Sequence, residues 1–199
     1  MSPARTAATI AALAVLVQLA SAAPAPAQGC TAATPEQTWE GFSAAMARVD
    51  FGELATCLTP QGRQKMAAEL LTMNAMLASM AGVGLAAEEG SDEPPDEDRE
   101  EAEKRVQAFA DLLAAYGLAN PAAEDIDEAA VEAQLAGLDH VALLADLGEL
   151  LGLGPDDMQS VGELTDLVVE GDSAHGKAGG KSYSFTRAEG LWYVETDGL

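Results

Sequence analysis

Positive charge, histidine, cysteine and aromatic rings are all scarce in this chain, and each shortage removes a class of function. Ten basic side chains face 33 acidic ones, a net charge of −23 over 199 residues. Phosphate backbones require a surface of the opposite sign, so nucleic acid is excluded as a partner. Docking on anionic lipid is disfavoured on the same ground. Two histidines, His140 and His175, beside two cysteines expected to be oxidised do not supply a zinc site. Aromatic residues make up only 5% of the chain, which points to close helix–helix spacing rather than a large aromatic pocket.

The motifs of common enzymes are missing as well. There is no Gly-x-Ser-x-Gly elbow, and the glycines of Gly152-Leu153-Gly154-Pro155 follow a helix and lack the third member of a nucleotide fingerprint. Carboxylates are plentiful, yet on an acidic helical surface a Glu pair is ordinarily solvated charge. No cofactor is expected.

Beyond the first residues no segment is expected to be apolar for long enough to cross a membrane. Residues 1–27 read as a secretory signal peptide: Arg5 gives a positive start, Ile10 to Ala22 is apolar apart from short interruptions, and small residues follow. The apolar stretch is short for a bilayer span, which needs about 20 residues, so cleavage and no stable membrane insertion are expected. Ala20-Ser21-Ala22 and Ala25-Pro26-Ala27 both fit a cleavage site, and the second, favoured here, starts the mature chain at Gln28. The product is then exported, periplasmic or secreted.

In an oxidising compartment Cys30 and Cys57 are expected to form a disulfide clipping the N-terminus to the first helical hairpin. A lipid anchor on Cys30 is the weaker alternative. Ala27-Gln28-Gly29 lacks the large aliphatic residue that a lipoprotein signal places three positions before the cysteine.

What remains reads as one α+β domain over 28–199. Thr34-Pro35-Glu36-Gln37 combines a capping threonine, proline at the first helical position and an acid in the first turn, predicting a helix to about Arg48. Phe51 to Cys57 forms a second, and Thr59-Pro60 opens a third to about Met80, ended by Gly82-Val83-Gly84. On the third helix Met66, Met73, Met76 and Met80 share a side with Leu70 and Leu77. Methionine thioethers outside the cytoplasm bind soft copper, but methionine is also an adaptable core filler, and core packing is expected.

Residues 86–98 are acidic and broken by Gly90, Pro94 and Pro95, predicting an exposed mobile loop. Asp92, Asp96 and Asp98 raise a calcium reading, but the alternating acids and glycine of an EF-hand are missing. A solvated linker is the expectation. Helix resumes near Glu97, and a helical insert covers about 99–151, with helices to Gly117, from Ala123 to Leu135, and from Asp139 to Leu151. His140, at the last helix start, reads as a surface or capping residue.

From about 163 to 196 the period changes from helical to alternating. Leu164–Glu170, Ser173–Ala178, Lys181–Arg187 and Leu191–Thr196 predict a four-stranded antiparallel meander, turning at Gly171-Asp172, Gly179-Gly180 and Glu189-Gly190. Tyr183 and Phe185 share one face, as do Trp192 and Val194. The fold class is therefore α+β, with N-terminal helices and a helical insert packed on a C-terminal meander.

The order of these signals resembles secreted bacterial proteins of the NTF2-like (cystatin-like α+β) group. The residues that carry the resemblance are Thr34-Pro35-Glu36, Val49-Asp50-Phe51-Gly52-Glu53-Leu54, Leu58-Thr59-Pro60-Gln61-Gly62-Arg63, Lys181-Ser182-Tyr183-Ser184-Phe185 and Gly190-Leu191-Trp192-Tyr193-Val194. They lie between residues 34 and 63 and between 181 and 194; the helical stretch Arg99 to Leu151 departs from the group. The resemblance implies two helices packed in the concavity of a curved sheet. Some members are isomerases or dehydratases with a buried Asp or His base, and others only bind. No catalytic motif carries over. His175, on a strand between Ser173 and Lys177, is the single candidate base. The expected function is a non-catalytic binding or accessory module whose partner is an unspecified protein or small molecule. A small isomerase or lyase and an acidic cation-binding protein are the alternatives.

Overall fold

The start signals read at Thr34 and Thr59, together with a cap at Asp50, set the first three helices in place. In the computed structural model, which describes residues 30, 32–87, 96–121, 128–157 and 160–195, with the side chains of 84–87, 96–98 and 128 not described, α1 spans Pro35–Arg48. Thr34 Oγ1 accepts from the Gln37 amide at 3.3 Å. The helix closes with Val49 in the left-handed region, whose amide and that of Asp50 donate back to Met46 and Ala45. Asp50 then caps α2 (Phe51–Cys57), accepting from the Glu53 amide at 2.8 Å. Thr59 Oγ1 accepts from Gly62 at the start of α3 (Pro60–Ala87). Arg63 Nε donates to the carbonyls of Ala55 and Leu58, satisfying the C-terminus of α2.

The third helix is longer than its glycines suggest. It runs through Gly82 and Gly84 to Ala87, since one glycine costs only about 1 kcal/mol against alanine in a helix. The fourth, α4, spans Asp96–Tyr116, so both ends of the expected 86–98 loop are helical, and 88–95 lie outside the described residues. Next come α5 (Glu128–Leu135) and α6 (His140–Leu151), the latter capped by Asp139 Oδ1 at the amides of Val141 and Ala142. A 3₁₀ turn, Pro155–Asp157, follows.

The chain then forms β1 (Thr165–Glu170), β2 (Ser173–Ala178), β3 (Lys181–Ala188) and β4 (Leu191–Val194), an antiparallel sheet in the order β1-β2-β3-β4. Gly179 and Gly180 both have positive φ, as a two-residue hairpin turn requires. In β2, Ala174, Gly176 and Ala178 are buried while Ser173, His175 and Lys177 are exposed. Register places Phe185 opposite Val194 and Ala174 opposite Phe185, so these buried residues share the inner face.

Two layers share one core. Trp39 of α1 stacks on Phe42 and meets Tyr183 at 4.5 Å and Phe185 at 6.3 Å between centroids. The insert helices pack mainly on the other helices: α4, α5 and α6 lie against α3, and α6 also against α2, with Leu71, Leu135, Leu143, Leu144 and Leu147 fully buried. The insert is thus a second layer behind the N-terminal helices, while α1 covers the sheet. Buried Asn74 ties α3 to α6 by donating to Leu147 O at 3.2 Å and to Leu70 O at 2.9 Å.

The methionines are corrected by the structure. Met73, Met76 and Met80 are 41%, 64% and 62% exposed, while Ala67, Ala68, Leu71, Ala75 and Ala78 form the buried face of α3. Alanines admit the close approach of neighbouring helices. Lys65, Glu69, Thr72 and Ser79 are exposed on the same side as these methionines, so the polar residues, not the methionine spacing, mark the solvent face.

Tyr116 of α4 donates to Asp146 Oδ2 of α6 at 2.7 Å. Burial first, then this hydrogen bond and the charges of Asp146 and Asp139, push its phenol from 10.0 to about 12. Tyr183 is raised in the same direction by burial. A folded pKa above the unfolded one means stability present below pH 10 and lost as pH rises through about 12. Denaturation series across that window are expected to show this alkaline loss, with Tyr116→Phe reducing it.

Candidate functional site

One cleft opens between the helical layer and the sheet. It has a volume of about 310 Å³ and is walled by Phe42 and Met46 of α1, Phe51 and Leu54 of α2, Met66 of α3, and Ala178, Lys181 and Tyr183 around the β2–β3 turn. Ser160 and Val161, in the segment entering β1, complete it. The pairs from α1 and α2 are four and three residues apart, the spacing that brings side chains onto one face. The volume is at the small end of ligand sites, about 300–1,000 Å³.

Tight backbone contacts fix the rim. Trp39 Nε1 donates to Gly162 O at 3.2 Å, pinning the segment before β1 to α1. A Cβ on Gly162 would stand 3.2 Å from the Gly179 amide nitrogen, and one on Gly179 would stand 3.1 Å from Val161 O. The two segments touch through glycine backbones, so the rim is held by main chain. Tyr183 is buried against Trp39, with its ionisation suppressed by that burial. Lys181 is exposed and gives the lining its one positive charge.

The back wall depends on Gly148 of α6. A Cβ there would lie 2.3 to 2.8 Å from three carbons of Phe51, so the ring and its own Cβ sit directly on the helix backbone. Phe51 in turn faces the cleft. Nothing in the sequence signals this pairing across 97 positions; the residues Val49 to Leu54 mark the turn but not its partner.

The residues singled out from the sequence separate. His175 is exposed on the outer face of β2, the opposite side from Ala174 and Ala178, and its Nδ1 lies 3.1 Å from Ser184 Oγ on β3. It is not part of the cleft lining. His140 Nε2 hydrogen-bonds Leu135 O at 2.9 Å, joining α6 to the end of α5. Asp92 lies outside the described residues; Asp96 and Asp98 fall in the first turn of α4, and their side chains are likewise not described. Among the described residues, no group of three or more His, Cys, Asp or Glu is placed to hold a metal ion.

Cys30 and Cys57 form a disulfide with Cα atoms 4.5 Å apart. Gly41 makes room for it: a Cβ there would come within 3.1 Å of Cys30 Sγ and 3.2 Å of its Cα. Nothing in the sequence distinguishes Lys181, Tyr183 and Met46 as site residues, and Met66 stands out there only as one of a row of methionines. The alternation of β3 shows that Tyr183 faces inward, but not that a space lies beside it.

Comparison with known proteins returns no matching family model, no matching curated sequence and no matching solved structure.

Gly148→Ala is expected to displace Phe51 and destabilise the fold. Overpacking costs about 1–3 kcal/mol and the gain in helix propensity offsets at most about 1 kcal/mol. Urea unfolding, read as a lower midpoint at unchanged slope, measures the difference.

Proposed function

We propose that this chain is an exported binding module of NTF2-like type that holds a small apolar molecule with an anionic end. The observation that carries the reading is the cleft: a mostly apolar lining between sheet and helices with Lys181 at its edge. Export is supported by the signal pattern of residues 1–27 and by the disulfide, which persists in the periplasm or outside the cell. The NTF2-like reading is supported by the order of elements, with α1 laid against a terminal antiparallel sheet.

Binding rather than turnover is favoured by the lining. Among the described residues it contains no histidine and no carboxylate, and the phenol of Tyr183, which stands there with Lys181, has its ionisation suppressed by burial. An isomerase or lyase using His175 would need that imidazole on the other face of the sheet. The excess of acid does not forbid an anionic ligand. Charges beyond about 8 Å are largely screened at physiological ionic strength, and Lys181 is the charged residue in the lining itself.

Decanoate and decanol are the probes, titrated by calorimetry into the full-length, oxidised chain. Saturable binding of both is expected, with Met46→Trp, which fills the cleft, abolishing it. Lys181→Met, a surface change that leaves the fold intact, weakens decanoate several-fold, at most about tenfold, and leaves decanol unchanged. No saturable binding of either probe, or wild-type affinity for decanoate in both variants, contradicts the proposal.

A further inference from the structure

We propose that the solvent face of α3 carries a thioether site for copper(I), formed by Met73, Met76 and Met80. This site is independent of the cleft, which uses Met66 and Met46. Core packing, the ordinary use of methionine, does not account for these three residues: they are 41%, 64% and 62% exposed. At 3.6 residues per turn they fall within about 60° of arc, centred nearly opposite the buried alanines. Every large apolar residue on that arc from 73 to 80 is a methionine, where leucine would serve helix formation as well.

The spacing suits one ion. Met76 is central, three residues after Met73 and four before Met80, and each such step brings side chains together on a helix. Met73 and Met80 are about 10.5 Å apart along the axis, so each outer arm has to reach about 5 Å toward the centre. Unbranched methionine side chains with three rotatable bonds have that freedom. Three neutral, soft sulfurs select copper(I) over calcium or zinc. A monovalent cation is also favoured by exposed Glu69, four residues before Met73, and by a chain of net charge −23. The disulfide removes the cysteine thiolates that would otherwise take the ion. Binding involves no change of oxidation state.

The test uses silver(I), a redox-stable stand-in, and then copper(I) held by a competing chelator, with the full-length oxidised chain carrying ¹³C-methyl methionine in chloride-free buffer. One equivalent is expected to shift the methyl signals of Met73, Met76 and Met80 and to leave Met46 and Met66 in place. Met76→Leu should weaken binding at least tenfold, and the triple leucine variant should lose it; these exposed substitutions keep the fold. Silver-induced shifts confined to other methionines, no shift at all, or retained copper(I) affinity in the triple variant overturns the proposal.

Discussion

The fold depends on one junction, where the N-terminal segment, the α2–α3 connection and the last strand are tied together. Ala32 pairs antiparallel with Trp192 and Leu58 pairs parallel with Val194, so two separate stretches of chain lie along β4. The Cys30–Cys57 disulfide joins those stretches covalently. Thr38, fully buried, accepts from the Ala32 amide, while its hydroxyl proton can go to Thr34 O or to Trp192 O, both within 3.2 Å. With only four residues, β4 is short for an independent edge strand. Closing the 27-residue separation by a disulfide stabilises by about 3.5 kcal/mol on the chain-entropy account. That amount is a large fraction of the 5–15 kcal/mol holding a typical domain together.

From this junction the rest follows in order. Pinning α1 to β4 sets Trp39 over Tyr183 and Phe185, and Trp39 in turn holds the segment entering β1 through Gly162. Phe42 and Met46, one and two turns further along α1, then face the β2–β3 turn across the cleft. On the far side, α6 supports α2 through the Gly148–Phe51 contact and holds α3 through Asn74. The cleft is therefore walled by elements whose positions are fixed from both layers. That favours a preformed site over one assembled by the ligand.

Local chemistry was legible in the residues, and long-range pairing was not. Thr34, Asp50, Thr59 and Asp139 act as caps because capping is decided within four residues. The hairpin turns at Gly171-Asp172, Gly179-Gly180 and Glu189-Gly190 were visible for the same reason. The solvent face of α3 was marked by the widely spaced Lys65, Glu69, Thr72 and Ser79, but the methionines between them masked that polar side. Nor was the partner of the 99–151 stretch, which depends on shape. The small residue Gly148 accepting Phe51 is a property of a packed pair, not of either sequence neighbourhood. The outward direction of His175 was undecided because alternation defines two faces without naming the inner one; Ala174 and Ala178 against the core decide it.

Amide hydrogen exchange on the oxidised and the reduced protein tests the dependence of the fold on the junction most directly. The account predicts that reduction raises exchange together at the Trp192 amide, which donates to Ala32 O at 2.9 Å, and along α1, while the β2–β3 hairpin keeps its protection. Faster exchange limited to residues 30–34, with Trp192 and α1 as protected as before, would contradict it and reduce the disulfide to a tether on the chain terminus.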